Sequence, residues 1–259
     1  MGAFYSLPAE EPGKDMTNRA VLNNVDHKDL KVDARHSEKY GDNVNCALAF
    51  STEFGELQKE YPILFYKDSE TSTILAHVIL GFDRDENLFL DADGWTGSYV
   101  PAILDRGPFL IGFQDQQVDG TVQKEPVIHI DMDDPRVGVD DGQAVFLPFG
   151  GDSPYLEKIM RTLQVIHQGA NRDKTLFALL EAMDLLQPIS IEVTLSNVEQ
   201  VNLNDYYSIN AERLSQLDGE RLEKLNKQGA LSLAFFALSS LTNIQRLITL
   251  KNKKSAIAQ

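Results

Sequence analysis

Apolar positions follow two different rhythms along this chain. Between residues 29 and 150 they come as short β-branched or aromatic runs separated by Gly, Pro, Asp and Asn, which is how strands joined by tight connections read. Pro62–Tyr66, Thr73–Leu80, Asn87–Leu90, Phe109–Phe113, Val127–Ile130 and Ala144–Leu147 are the predicted strands. One helix interrupts them over Thr52–Tyr61, with Phe54 and Leu57 on its apolar face and Glu53, Glu56 and Glu60 assigned to water.

After residue 150 the period lengthens. Ser153 stands as an N-cap directly before Pro154, and Leu156, Ile159, Met160, Leu163 and Ile166 then recur at helical spacing, predicting a helix from 154 to about 168 that ends near Gly169. Leu176, Leu179, Leu180, Met183 and Leu186 predict a second helix over Thr175–Leu186. Ile189–Leu195 and Tyr206–Ile209 read as short strands able to return to the sheet, and Asn210 caps a further helix. The last long helix begins near Gly229. It is apolar on two faces, Leu231, Phe235, Leu238 and Leu241 on one and Leu233, Phe236 and Ala237 on the other. Such a helix is buried in its own core or shared with a second copy in a homodimer, and both readings stand.

Residues 1–28 carry Pro8, Pro12 and Gly13 without apolar periodicity and read as an extended N-terminal arm. No linker-like stretch interrupts the chain near residue 150. The expectation is therefore one α+β unit over 29–259, strand-rich over 29–150 and helix-rich over 151–250, with a mostly antiparallel or mixed sheet packed on helices.

Composition narrows the partners. Hydrophobic residues make up 42% of the 259 and charged residues 24%, so the chain falls in the globular range. A net charge of −15, from 39 acidic and 24 basic residues, repels phosphate backbones and anionic lipid. Nucleic acid and membrane are not expected as partners. Lys251, Lys253 and Lys254 read as cations at the end of a helix. Cys46 is the sole cysteine, within an apolar run, which suits a buried thiol in a reducing compartment. The opening residues lack a basic then apolar stretch and no run of about 18 apolar residues occurs, so a cytoplasmic location is expected.

Candidate chemistry is sparse. Gly-x-Ser-x-Gly, Ser-x-x-Lys, the Walker loop, His-Glu-x-x-His and the dinucleotide fingerprint are all missing, and Ser153 is accounted for by capping. His129 and Asp131, two apart on a strand, together with His167 would make a two-histidine, one-carboxylate Fe(II) triad of an oxygenase. Against it, His129 reads equally as a half-buried strand residue and Asp131 as the start of an acidic loop. The carboxylates at 131–141 and 83–91 lack the Gly and Glu positions of an EF-hand and read as solvated turns. Asp91-Ala92-Asp93-Gly94-Trp95, followed by Tyr99, places aromatics beside a turn, either lining a pocket or filling core.

The order Glu53-Phe54, Tyr61-Pro62-Ile63-Leu64-Phe65, Asn87-Leu88-Phe89, Asp93-Gly94-Trp95, Tyr99-Val100-Pro101-Ala102 and Pro108-Phe109 resembles the bacterial SapC family. Looser agreement continues through Gly142–Phe146, Leu222–Leu225, Gly229 and Ser239-Ser240-Leu241. One departure is Asp105-Arg106-Gly107, which has a single basic residue where the family pattern has two. The resemblance implies no catalytic motif, and its name implies a possible link to surface-layer structure. Together, the aromatic turn and the missing nucleophile motifs favour a non-catalytic cytosolic binding or accessory protein, with Trp95, Tyr99 and Arg106 near a pocket for a small molecule or peptide. A surface-layer structural role and the iron oxygenase are the alternatives.

Overall fold

The computed structural model describes residues 18–118, 121–195 and 200–257. Its strands are β1 (Arg19–Val21), β2 (Lys31–Val32), β3 (Cys46–Leu48), β4 (Ile63–Lys67), β5 (Ile74–Ile79), β6 (Leu90–Asp91), β7 (Gly94–Trp95), β8 (Phe109–Val118), β9 (Thr121–Asp131), β10 (Gln143–Ala144), β11 (Leu186–Thr194) and β12 (Gln200–Ile209). The helices are α1 (Phe54–Leu57), α2 (Ala102–Asp105), α3 (Pro154–Ala182), α4 (Ala211–Ser215), α5 (Gly219–Gln228), α6 (Ala230–Ser240) and α7 (Ile244–Ile257).

The fold is α+β, with antiparallel pairing throughout the described sheets. One sheet has the order β1-β9-β8, and a larger one the order β11-β12-β4-β5-β3. The hairpin β11–β12 from the helical half thus joins the sheet of the first half, through Tyr206 opposite Tyr66 and Tyr207 opposite Phe65. Each sheet has its own apolar cluster. The larger one gathers Phe54, Tyr61, Leu64, Phe65 and Val78 with Phe177, Leu180 and Leu233; the smaller gathers Val32, Phe109, Ile130, Val145 and Phe146 with Leu156, Ile159 and Leu163.

Helix α3 serves both clusters. Ser153 caps it, its Oγ accepting from Leu156 N at 3.1 Å, with Pro154 in the first turn. The helix then continues for 29 residues, about 44 Å at 1.5 Å per residue, where two separate helices were expected. Gly169 does not end it. A Cβ at this position would lie 2.5 Å from Phe50 Cβ, so the glycine is there to let the helix approach the 3₁₀ turn Ser51–Glu53. Leu186, assigned to the second helix, instead opens β11.

Other expectations shift for local reasons. The helix read over Thr52–Tyr61 is the 3₁₀ turn followed by the four residues of α1. Glu53 and Glu60 do not face water: they are 3% and 8% exposed, and both accept backbone N–H groups. Asn87–Leu90 is a turn apart from its last residue, because Asn87 Oδ1 accepts from Phe89 N at 2.9 Å while its Nδ2 donates to Asp42 O at 2.8 Å. Of Ala144–Leu147 only Ala144 lies in a strand. The arm expected over residues 1–28 falls, for residues 1–17, outside the described residues; from Arg19 the chain pairs with β9.

Helix α6 buries Ala230, Leu233, Ala234, Ala237 and Ser240, while Phe235 on the other face is 56% exposed. Ser240 Oγ accepts from Ile63 N at 2.9 Å, fastening the helix to the start of β4. Residues Ala230–Ala256 are long and apolar enough to cross a membrane by length and composition alone, although Leu247 as well as those α6 residues is packed into the core.

Candidate functional site

A cleft of about 460 Å³ opens between the two sheets, within the range of small-molecule sites. Cys46, Ala47 and Leu48 of β3 form one wall, and Leu110, Ile111 and Phe113 of β8 the other. Leu163, Ile166, His167, Ala170 and Asn171 of α3 and Ile103 and Leu104 beside them complete the lining. These are mostly aliphatic side chains, brought together because α3 spans both sheets. Cys46 lies here as a neutral thiol, since burial pushes its pKa up despite the Tyr206 hydroxyl.

The polar end of the cleft is held by Arg136. Its guanidinium donates to Asp42 Oδ1 at 2.9 Å, Asp134 Oδ2 at 3.2 Å and Tyr40 O at 3.2 Å, and it lies 4.9 Å over the Tyr40 ring. Asp42 is almost fully buried and also accepts from Ser37 N at 2.9 Å. Behind this pair, Asp33 forms a two-pronged bond with Arg35 at 2.8 and 2.6 Å, and this pairing holds its carboxyl far below the usual range.

His36 stands between two carboxylates, with Nδ1 3.4 Å from Asp42 Oδ2 and Nε2 3.9 Å from Asp105 Oδ1. Burial works against charging the ring, but the two carboxylates outweigh it and raise its pKa. Asp105 is itself fixed by Lys158 at 2.6 Å and Thr162 at 2.9 Å, both on α3.

The residues singled out from the sequence are distributed over several places. Arg106 lines the cleft, donating to Phe109 O at 2.9 Å. Trp95 and Tyr99 belong to a neighbouring nest centred on Tyr61. Trp95 Nε1 donates to Tyr61 OH at 3.1 Å, and the Tyr61 hydroxyl in turn donates to Tyr99 O. Tyr99 OH donates to Glu53 Oε2 at 2.8 Å, which also accepts from Ala102 N at 2.9 Å. Burial raises the Glu53 pKa to about 7. Trp95 and Tyr99 are thus part of the scaffold beside the cleft and are not among its lining residues.

The proposed iron ligands are not gathered. His129 pairs with Leu110, and its ring lies over Gly112, on one face of the β8–β9 hairpin. The other face, carrying Phe109, Ile111 and Phe113, meets α3, and there His167 contacts the Phe113 ring at 5.9 Å and Asn171 at 3.1 Å. Asp131 accepts from Asp133 N at 3.1 Å in the turn after β9. Among the described residues no group of three or more His, Cys, Asp or Glu side chains is placed to hold a metal ion.

Sequence reading missed His36, Asp42, Asp105 and Arg136. The signal available was the pairing of charges with turns at 33–42 and 134–136, but the pairs themselves span more than sixty residues. Comparison with known proteins gives one match: the family model described as SapC covers residues 22–247. No curated protein and no solved structure matches.

Proposed function

The chain belongs to the SapC family, and from that premise we propose that it is a non-catalytic binding or accessory protein holding a small apolar molecule or short peptide in the cleft between β3 and β8. The observation that carries this reading is the cleft itself, an aliphatic space of about 460 Å³ ending at a guanidinium that Asp42 and Asp134 hold in place. Its apolar lining favours desolvation of an apolar ligand body, and the fixed polar end gives orientation. The raised pKa of Cys46 supports the non-catalytic part, because a neutral buried thiol is a poor nucleophile.

The test uses 8-anilinonaphthalene-1-sulfonate, which pairs an apolar body with an anion. Saturable 1:1 binding to the full chain is expected, with at least a tenfold loss of affinity in Ala170→Trp, where an exposed helix residue at the cleft would be replaced by a plug. Equal binding by both proteins would sink the reading.

A further inference from the structure

The charges at the polar end of the cleft are balanced by a group that does not touch it. Arg136 is bonded there to Asp42 and Asp134, and Arg106 adds a second guanidinium to the lining, donating to the carbonyls of Gly107 and Phe109. Two fixed positive charges thus stand against two negative ones. Asp42 gives Oδ1 to Arg136, while its Oδ2 accepts from Ser37 N and lies 3.4 Å from His36 Nδ1. The Asp42 side chain is 2% exposed and that of His36 13%, so a charge gained or lost on the ring is weakly screened at Arg136. A protonated His36 makes this end of the cleft positive, and a neutral one leaves it without net charge.

The other groups around the ring do not compete for that role. On α2, Asp105 lies 3.9 Å from Nε2 and is offset by Lys158 of α3 at 2.6 Å. On the loop that carries His36, Arg35 is tied to Asp33, with Lys39 at 3.9 Å from the same carboxylate. Trp95 of β7 presents an uncharged ring at 5.7 Å. Tyr155 of α3, across a small cavity shared with His36, is a neutral phenol because burial pushes its pKa up. Glu38, Asp91, Asp93 and Lys254 border a second cavity beside the ring, where the Lys254 amine donates to Asn87 O and Leu90 O and burial lowers its pKa. Histidine alone in this set has an ordinary pKa in the neutral range. Inside the cleft the Cys46 thiol is neutral, and His167 is the second imidazole to be tested.

We propose that the cleft takes its ligand as an apolar acid, an apolar body with one anionic head, and that His36 takes up a proton from water as the head arrives beside Arg136; this rests on the cleft being the binding site. The aliphatic lining receives the body, and the positive end receives the head. Burial opposes charge on the ring, yet Asp105 and Asp42 outweigh it and raise its pKa above 6.5. An anion beside Arg136 raises it further. By reciprocity the anion binds more tightly where the ring is charged, so its affinity falls as pH rises through the pKa of His36. His36 acts through Asp42 as a positioning residue.

Two probes on the full chain test this, the anionic 8-anilinonaphthalene-1-sulfonate and the uncharged N-phenyl-1-naphthylamine, titrated between about pH 5.5 and 8.5. The anionic probe is expected to bind about threefold or more weakly at the upper end, the effect of half a pKa unit, while the uncharged probe keeps its affinity. Calorimetry in buffers of different ionisation heat should show proton uptake with the anionic probe alone. His36→Gln should abolish the pH dependence and His167→Asn should leave it. A flat profile for the anionic probe overturns the proposal, as does a dependence that survives His36→Gln or disappears in His167→Asn. Binding of the uncharged probe reports an intact cleft in His36→Gln. Where that binding is lost, Asp105→Asn replaces the variant: with one carboxylate fewer, the midpoint of the profile should move to lower pH, and an unmoved midpoint overturns the proposal. If Ala170→Trp removes both probes but no pH dependence is found, the ligand site stands and only the proton linkage is rejected. If Ala170→Trp leaves both probes bound, the site and the proposal fall together.

Discussion

The nest around Tyr61 and the cleft beside it are built from similar materials and end in opposite states. In the nest, the Tyr61 hydroxyl takes a bond from Trp95 and gives one to Tyr99 O, Tyr99 and Ala102 bond to Glu53, and Ser98 N bonds to Glu60 at 3.0 Å. Phe89 closes the space with its ring 4.6 Å from that of Tyr61. In the cleft, aliphatic side chains from β3, β8 and α3 line a space of about 460 Å³. The difference shows that aromatics with polar handles beside a turn do not by themselves mark a binding site. Once the handles are bonded to each other they stiffen a scaffold, and the site lies where two scaffolds stop short of meeting.

Substitutions can break this contrast, most strongly in the nest. Tyr61→Ala removes a fully buried ring and both bonds of its hydroxyl, so a loss of about 3–5 kcal/mol is expected from urea unfolding. A loss under 1 kcal/mol would show that the nest is not closed. Next comes the close approach of α3 to Phe50. Gly169→Ala forces a Cβ to within 2.5 Å of Phe50 Cβ, and about 1–3 kcal/mol should be lost in the same measurement, since the clash is with the root of a buried side chain and not its flexible end.

Titration sharpens the comparison further. Glu53 in the nest binds its proton more tightly when folded, with a pKa of about 7 against 4.5, so its contribution is present at low pH and is lost as pH rises from about 4.5 to 7. His77 on β5, with an unpartnered Nδ1, does the reverse. Burial lowers its pKa to about 4 from 6.5, so stability rises with pH between those values. The two limbs oppose one another in wild type. They separate in variants: the stability of Glu53→Gln relative to wild type should rise by roughly 1–3 kcal/mol between pH 4.5 and 7, and that of His77→Phe should fall by a similar amount between pH 4 and 6.5. Flat differences in thermal melts across these ranges would contradict the assigned burial. The smallest effect belongs to the cleft: Ala170→Trp should change stability by under about 0.5 kcal/mol while removing probe binding.

Much of the fold was legible because it is written in local periodicity. The cap at Ser153, the strands at β4 and β5 and the cap at Asn210 all use neighbours within a few residues. Gly169 was misread because glycine ends helices and also permits close approach, and only Phe50, far away in sequence, distinguishes the two. Glu53 and Glu60 were assigned to water because their partners Ala102 and Ser98 lie 49 and 38 residues on. The candidate site was largely illegible for the same reason. Its walls come from residues 46–48, 103–113 and 163–171, and each stretch alone reads as ordinary core. Arg106 was found because a resemblance drew attention to it, whereas Arg136 and Asp42, with partners nearly a hundred residues apart, carried no such mark.

The place of β12 beside β4 has a consequence for synthesis on the ribosome. Tyr66 meets Tyr206, 140 residues later, so at roughly 5–20 residues per second the nascent chain waits about 7–28 s before that neighbour is made. During the wait the edge of β4 at Phe65 and Tyr66, which β12 later covers, stays unpaired and is of the kind that recruits other chains. Its biosynthesis should therefore depend on holding chaperones more than its finished stability would suggest, and a slowed translation of the second half should increase aggregation.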